Sequence, residues 1–387
     1  MKKKQLGQFF TTNSDNILRG LEEFVREKNV VDPFAGGGDL MLWAEKNGAK
    51  KVEGFDVDDA CVDNKKVFKN DSLLQSKKYR FVLTNPPYLN INKADSNTKD
   101  KYFRKSQFED LYQISLDAIF DSEEGIVIVP INFLSAENSE KIRQRFFSKF
   151  KIVKMNYFKE QVFEDTTYNV IAFYYKRHGG LCEQFVIETT IFPDNKKVDI
   201  ELARKFSWTI GGEFLNKIKD QENILGVHRL TEDILEKEKG SLSIHVAFNH
   251  IKDKRQIKAS KKFRDLVESN LILLRAIDSG TQEGRIKLEN IKKYNVECLI
   301  SKESSRNMIY LLFDRQIELE QQQKIIDLFN EEINKQRENH LSLFLTNFRD
   351  NDRKRISFDF VYKFINHIYC EKINPKILAQ TTFGYEL

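Results

Sequence analysis

A short apolar run, Tyr79 to Leu83, ends in Thr84-Asn85-Pro86-Pro87-Tyr88, and this stretch constrains the chain more than any other. The run has the length and the turn signal of a buried strand. Two consecutive prolines cannot continue a hydrogen-bonded ladder, and they fix the backbone in a stiff, extended bend. An Asn side chain, a Pro carbonyl and an aromatic ring are thereby held in one rigid array at the carboxyl end of a strand. In open α/β sheets ligands bind at that end.

The array suits an amino group on a flat heterocycle, or an amide nitrogen. Such a nitrogen is a poor nucleophile because its lone pair is delocalised. The side-chain oxygen of Asn85 and the backbone carbonyl of Pro86 can accept both amino hydrogens. That draws the nitrogen toward tetrahedral geometry and localises the lone pair. Tyr88 would stack on the ring and hold it in line for attack. The plain alternative is a strand-ending turn that carries an exposed Tyr.

Strand–turn–helix units surround the array. Val30 to Asp32 reads as a strand, Pro33-Phe34-Ala35-Gly36-Gly37-Gly38 as a turn that lets a ligand approach the backbone, and Asp39-Leu40 as a helix start. A second strand, Lys51 to Val57, delivers Asp56 eighteen residues after Gly38, the interval at which an acid meets a ribose hydroxyl in nucleotide folds. The dinucleotide pattern G-x-G-x-x-G fails because residue 41 is Met, so a nucleoside-like ligand without a pyrophosphate cradle is expected. The segment Asp59–Lys69 is predicted as a helix leading to the polar cluster Asn70-Asp71-Ser72. Before all of these, a helix capped by Asn13 or Ser14 is predicted to run to about Lys28.

After the array comes a polar excursion, Leu89 to Phe108, longer than a compact connection and therefore functional or mobile. Its Lys93, Lys99, Lys101, Arg104 and Lys105 are candidates to grip phosphates. The α/β alternation then continues to a strand over 169–176, which makes a doubly wound sheet with a hairpin-like addition. Arg177-His178-Gly179-Gly180 reads as a boundary, with domains at 1–177 and 178–387. In the second part Lys252, Lys254, Arg255, Lys258, Lys261, Lys262 and Arg264 put seven basic residues in thirteen, the best local candidate for a phosphate-contacting surface. Asp278 to Arg285 has side chains suited to base edges. Asn351 to Arg355 offers a second basic turn, and Gln316 to about Phe344 a helix with Ile325, Ile326, Phe329 and Ile333 on a core face.

Composition excludes several classes. The net charge of +5 favours an anionic partner only weakly, so local clusters must define any nucleic-acid face. No apolar run approaches a membrane span, and Met1-Lys2-Lys3-Lys4 is not followed by a signal-peptide core. The four cysteines are far apart with no CxxC pair, and the histidines lack metal spacing. A cytoplasmic protein without a metal or membrane association is the expectation.

The ordered set Gly7-Gln8-Phe9-Phe10-Thr11, Asp32 to Gly38, Asp56, Asp71, Asn85-Pro86-Pro87-Tyr88 and Val162-Phe163 resembles the gamma class of DNA adenine-N6 methyltransferases, many of which belong to type II restriction–modification systems. In that family cofactor motifs come first, Asn-Pro-Pro-Tyr second and the target-recognition domain last, as here. The resemblance covers residues 5–176 well and the remainder in general plan. It implies a Rossmann-like S-adenosylmethionine-dependent methyltransferase sheet followed by a mixed α+β target-recognition domain, with S-adenosylmethionine as methyl donor. Thr11 and Asp32 would approach the methionine end of the cofactor, and Phe34, Ala35, Gly36 and Gly38 would wrap it. Asp56 would accept from the ribose, and Asp71, with Ser72 beside it, from the adenine amino group. Asn85 and Pro86 would bind the target amine beside the cofactor, Tyr88 would stack on the target base, and Phe163 would touch it from another side. Double-stranded DNA, entered by base flipping, would be the substrate of a monomer, with a separately encoded restriction endonuclease as possible partner. Three alternatives share parts of this pattern: an RNA adenine methyltransferase, a protein glutamine methyltransferase and a catalytically silent DNA-recognition subunit. Glutamine enzymes usually place a small helical domain before the sheet, whereas only about thirty residues precede the first strand here.

Overall fold

The computed structural model describes residues 11, 13–163, 168–278, 284–349 and 353–375. Residues 7–10, Thr12, the turn 164–167, residues 279–283 of the base-edge loop, and Asn351 with Asp352 lie outside the described residues. The chain divides into two compact units, Met1–Gly212 with Thr346–Asp352, and Glu213–Leu345 with Arg353–Leu387.

The first unit is built on one nine-stranded sheet. Its strands are β1 (Asn29–Asp32), β2 (Lys51–Asp56), β3 (Val67–Lys69), β4 (Tyr79–Thr84), β5 (Ser122–Pro130), β6 (Phe150–Phe158), β7 (Val170–Arg177), β8 (Gln184–Phe192) and β9 (Lys196–Ala203). They lie in the order β3-β2-β1-β4-β5-β7-β6-β8-β9. Pairing is parallel from β3 to β5, and β7 enters antiparallel between β5 and β6. Strand β1 has β2 on one side and β4 on the other, so the chain reverses direction across the sheet there. The carboxyl ends of β1, β2 and β4 meet at this switch point, and they deliver Asp32, Asp56 and Asn85.

β4 and β5 are buried along almost their whole length, which explains their near-continuous apolar sequence. The aromatic rings of Phe133, Phe146, Phe173 and Tyr175 pack mainly edge to face beneath the sheet, with centroids 5.3–6.3 Å apart. Burying each such ring contributes roughly 1.5–3 kcal/mol. Gly54 in β2 is required by close approach: a Cβ there would lie 2.6 Å from Met41 Sδ and 2.7 Å from Ala35 Cβ. That contact seats the helix Asp39–Lys46 against β2 and so sets where the glycine turn lies.

Three expectations change. The first helix is only Ser14–Ile17, followed by a separate turn at Glu22–Phe24, because the chain passes through Gly20 at φ +80°. Asp59–Lys69 is not a helix. A short 3-10 turn at Asp59–Cys61 gives way to a loop in which the Asp63 carboxylate accepts from the N–H groups of Lys65, Lys66 and Val67 at 2.8 Å each. Those three bonds hold the Asp63 carboxyl down at about 2 and turn the chain into β3. Finally, the expected boundary at 177/178 falls inside the sheet, between β7 and β8, where the alternating burial of β8 continues the pleat.

The second unit carries two smaller sheets. Strands β10 (Val227–Arg229), β13 (Ile272–Arg275), β14 (Lys287–Asn290) and β16 (Met308–Phe313) form the order β10-β16-β13-β14. Strands β11 (Leu242–Phe248), β12 (His250–Ala259) and β15 (Cys298–Ile300) form β12-β11-β15. The helix Leu319–His340 buries Ile325, Ile326, Phe329 and Ile333 as its periodicity predicts. No helix among the described residues is long and apolar enough to cross a membrane.

Candidate active site

One cavity opens at the carboxyl ends of β1, β2 and β4, and another beside the ends of β4 and β5. The first is lined by Phe34, Gly36, Asp56, Asp71, Ser72 and Asn85, together with Val57, Leu73, Tyr102 and neighbouring residues. The second is lined by Tyr88, Asn90, Asp110, Tyr112 and Pro130, with Asn132, Asn138 and Tyr168 among its other walls. Asn85 faces one and Tyr88, three residues later, the other.

The turn after β1 is shaped by its polar ends. Gly36 and Gly38 have φ of +51° and +82°, and a Cβ on Gly38 would meet nothing within 4 Å. Backbone strain, not crowding, therefore calls for glycine there. Phe34 N–H donates to Asp32 Oδ1 at 3.0 Å, and Thr84 Oγ1 donates to the same oxygen at 2.7 Å. Asp32 is only 1 % exposed. Burial pushes its carboxyl up to about 7, more than these two bonds and despite them, and Asp56 nearby adds to the rise.

Asp56 ties β2 to the turn. Gly36 N–H donates to its Oδ2 at 2.8 Å, and Asp58 N–H to its Oδ1 at 2.7 Å. Burial raises its pKa and these bonds oppose the rise. A carboxylate has about four acceptor positions, so capacity for ligand hydroxyls remains on both oxygens. Ser72 is buried beside the cavity, bonded to Asn70 Nδ2 at 3.0 Å. Ala35 is buried behind the turn, its N–H on the Phe55 carbonyl at 2.9 Å.

The Asn85 carboxamide has a defined orientation. Its Nδ2 donates to Thr11 Oγ1 at 3.0 Å, and the Tyr88 hydroxyl donates to its Oδ1. The same hydroxyl bonds Ile128 O at 2.9 Å, and the Tyr88 ring meets Tyr112 edge-on at 6.4 Å. Burial raises the Tyr88 phenol far above its usual range, so it stays a donor. Pro86 is buried between these groups. Phe163 is 4 % exposed with its carbonyl on Gln161 Nε2, and the aromatic this segment brings to the second cavity is Tyr168.

The excursion 89–108 is more ordered than its polarity suggests. Asp95 caps a turn through Thr98 N–H at 2.7 Å, and Tyr102, Phe103 and Phe108 are buried. Lys93 lines the second cavity, while Lys99, Arg104 and Lys105 are exposed. Lys101 turns inward to Asp71 at 2.7 Å. Residues that the sequence reading missed are Thr84, Tyr102 and Tyr112. The one available signal was Tyr102-Phe103, two aromatics inside a charged loop.

The basic cluster lies on β12 and the first turn of the helix Lys261–Glu268. Several members are already engaged: Arg255 with Asp253 at 2.7 Å, Lys254 with Tyr294 O at 2.6 Å, and Lys262 with Glu238 at 2.7 Å. Among the described residues Lys252, Lys258 and Lys261 have no ion-pair partner. Lys354, in the second basic turn, is 1 % exposed and so presents no surface charge. No group of His, Cys, Asp and Glu among the described residues is placed to hold a metal ion.

This architecture is that of a class I S-adenosylmethionine-dependent methyltransferase sheet, extended by extra strands and sheets. Residues 9–163 match the family described as Eco57I restriction-modification methylase. No curated protein matches the chain. Among solved structures, the type IIL restriction-modification enzyme MmeI in complex with DNA aligns with a TM-score of 0.50 at 10% identity, over 91% of this chain and 64% of MmeI. The type I restriction-modification methyltransferase subunit from Streptococcus thermophilus aligns at 0.35 and 17% identity, over 48% of each chain. A protein from Listeria monocytogenes described as a class I S-adenosylmethionine-dependent methyltransferase aligns at 0.33 and 13%, over 45% of this chain and 61% of its own. The chain thus spans less than two thirds of each of these three proteins.

Proposed function

We propose that the chain is a site-specific DNA methyltransferase that transfers a methyl group from S-adenosylmethionine to adenine N6 in double-stranded DNA, and that it protects DNA from a cognate restriction enzyme. The observation that carries this reading is the position of Asn85-Pro86-Pro87-Tyr88 between two cavities, one ringed by Asp56, Asp71 and the glycine turn, the other by Tyr88 and Tyr112.

The first cavity fits the cofactor by its donor and acceptor set. The glycine turn leaves room against the backbone, Asp56 retains lone pairs for ribose hydroxyls, and Asp71 stands where a base would end. Asp32 and Thr11 would hold the methionine end, and Phe34 would wall the cavity. When bound, S-adenosylmethionine supplies an electrophilic methyl group.

The remaining chemistry belongs to the chain. A base leaves the duplex at a cost of a few kcal/mol and enters the second cavity. One amine hydrogen takes the place of the Tyr88 hydroxyl on Asn85 Oδ1, and the other meets the Pro86 carbonyl. Thr11 keeps the carboxamide from turning its nitrogen inward. The released Tyr88 ring stacks on the base, worth roughly 1–3 kcal/mol by analogy with single-strand binding. The second unit reads the target, with Lys252, Lys258 and Lys261 on phosphates. Transfer of a tritiated methyl group tests the reading: label should enter duplex DNA in preference to RNA or protein. Label entering only RNA or a protein glutamine would replace it with one of those alternatives.

A further inference from the structure

We propose that Lys101 and Tyr102 are positioning residues for Asp71, turning one carboxylate oxygen toward the amino group of a 6-aminopurine; this rests on the cofactor reading above. Both donate to the same oxygen: Lys101 Nζ lies 2.7 Å from Asp71 Oδ2 and Tyr102 OH 3.0 Å from it. The two donors leave Oδ1 to the ligand in this proposal, and Asp71 and Tyr102 line one cavity together.

The backbone makes this convergence possible. Adjacent residues of an ordinary helix point in different directions and do not share a target. Lys101 and Tyr102 sit in a π-helical turn, Lys99–Phe103, closed by Arg104 N–H on Lys99 O at 3.0 Å. Turns of this kind are rare and concentrate at functional sites. Asp71 is fixed in turn, since Leu74 and Gln75 N–H groups bond its carbonyl at 3.1 and 2.8 Å.

The two donors have different jobs. Lys101 sets its ammonium against one carboxylate oxygen, from a side chain 40 % exposed. Tyr102 is buried, and its ring forms part of the cavity wall against which a flat base can lie.

Calorimetric titration distinguishes this from simple pinning of the loop. Two ligands are compared: S-adenosylhomocysteine, and its analogue with hydrogen in place of the adenine amino group. The parent should prefer the amino ligand. Tyr102→Phe and Lys101→Met should each weaken the amino ligand by about tenfold, the worth of one hydrogen bond to a charged group, and leave the analogue nearly unchanged. The preference should therefore shrink in both. Equal weakening of both ligands, or an unchanged preference, would overturn the inference while the cofactor reading stands. A parent that binds neither ligand would overturn both. Either variant alone decides the matter if the other fails to fold.

Discussion

The strand ends of the first unit and strand β12 of the second both gather ionisable side chains, but they treat them oppositely. At the strand ends Asp32 and Asp56 are 1 % and 5 % exposed, and each is bonded to backbone N–H groups. On β12 Lys252, Lys254 and Lys258 alternate along an exposed edge. Buried groups with fixed partners can recognise one ligand geometry, because each unmatched bond costs a full desolvation penalty. Exposed cations attract any polyanion and are weakened by salt. One region is built for discrimination and the other for attraction.

Substitutions should keep that contrast. Asn85→Ala should have the largest effect, lowering single-turnover methyl transfer by about 10²–10³-fold with little change in cofactor affinity, as for other pre-organised partners of a developing charge. Quench-flow with labelled donor measures it. Next, Asp56→Ala should weaken S-adenosylhomocysteine by about a hundredfold, from two charge-assisted bonds of roughly 1.5–3 kcal/mol each; unchanged affinity by calorimetry would remove Asp56 from the site.

Asp32 gives a pH dependence. Its carboxyl is held neutral up to about 7, whereas an ammonium beside it favours the ionised form. Ligand binding then releases a proton, so affinity should rise with pH by up to about tenfold per unit below 7 and level off above. Asp32→Asn should flatten the profile. A parent profile already flat between pH 5.5 and 8 would contradict this role.

The smallest effects belong to β12. Lys258→Ala should reduce the salt slope of DNA binding by about 0.9, one phosphate's worth, and leave methylation at saturating DNA intact. Lys262, paired with Glu238, should matter less than Lys261. If Lys262→Ala has the larger effect, the existing ion pair is broken on binding.

Legibility in the sequence followed the same contrast. β1 and β4 were readable because apolar runs ended in punctuating residues, Pro33 with the glycines and Pro86-Pro87. β3 was not, since Val67-Phe68-Lys69 is too short for a periodic signal and its turn depends on one side chain, Asp63. Tyr102 and Tyr112 come near the site only through tertiary packing. In the second unit β10, β14 and β15 have three or four residues each, and long-range pairing rather than local pattern defines them.

The central claim is that Asn85, Pro86 and Tyr88 present an adenine amine for methylation. Duplex DNA incubated with the protein and S-adenosylmethionine, then digested to nucleosides and analysed by mass spectrometry, tests it most directly. The account predicts N6-methyladenine, formed by the parent and almost lost in Asn85→Ala. Methylated cytosine as the product, or N6-methyladenine formed by Asn85→Ala at the parent rate, would contradict it.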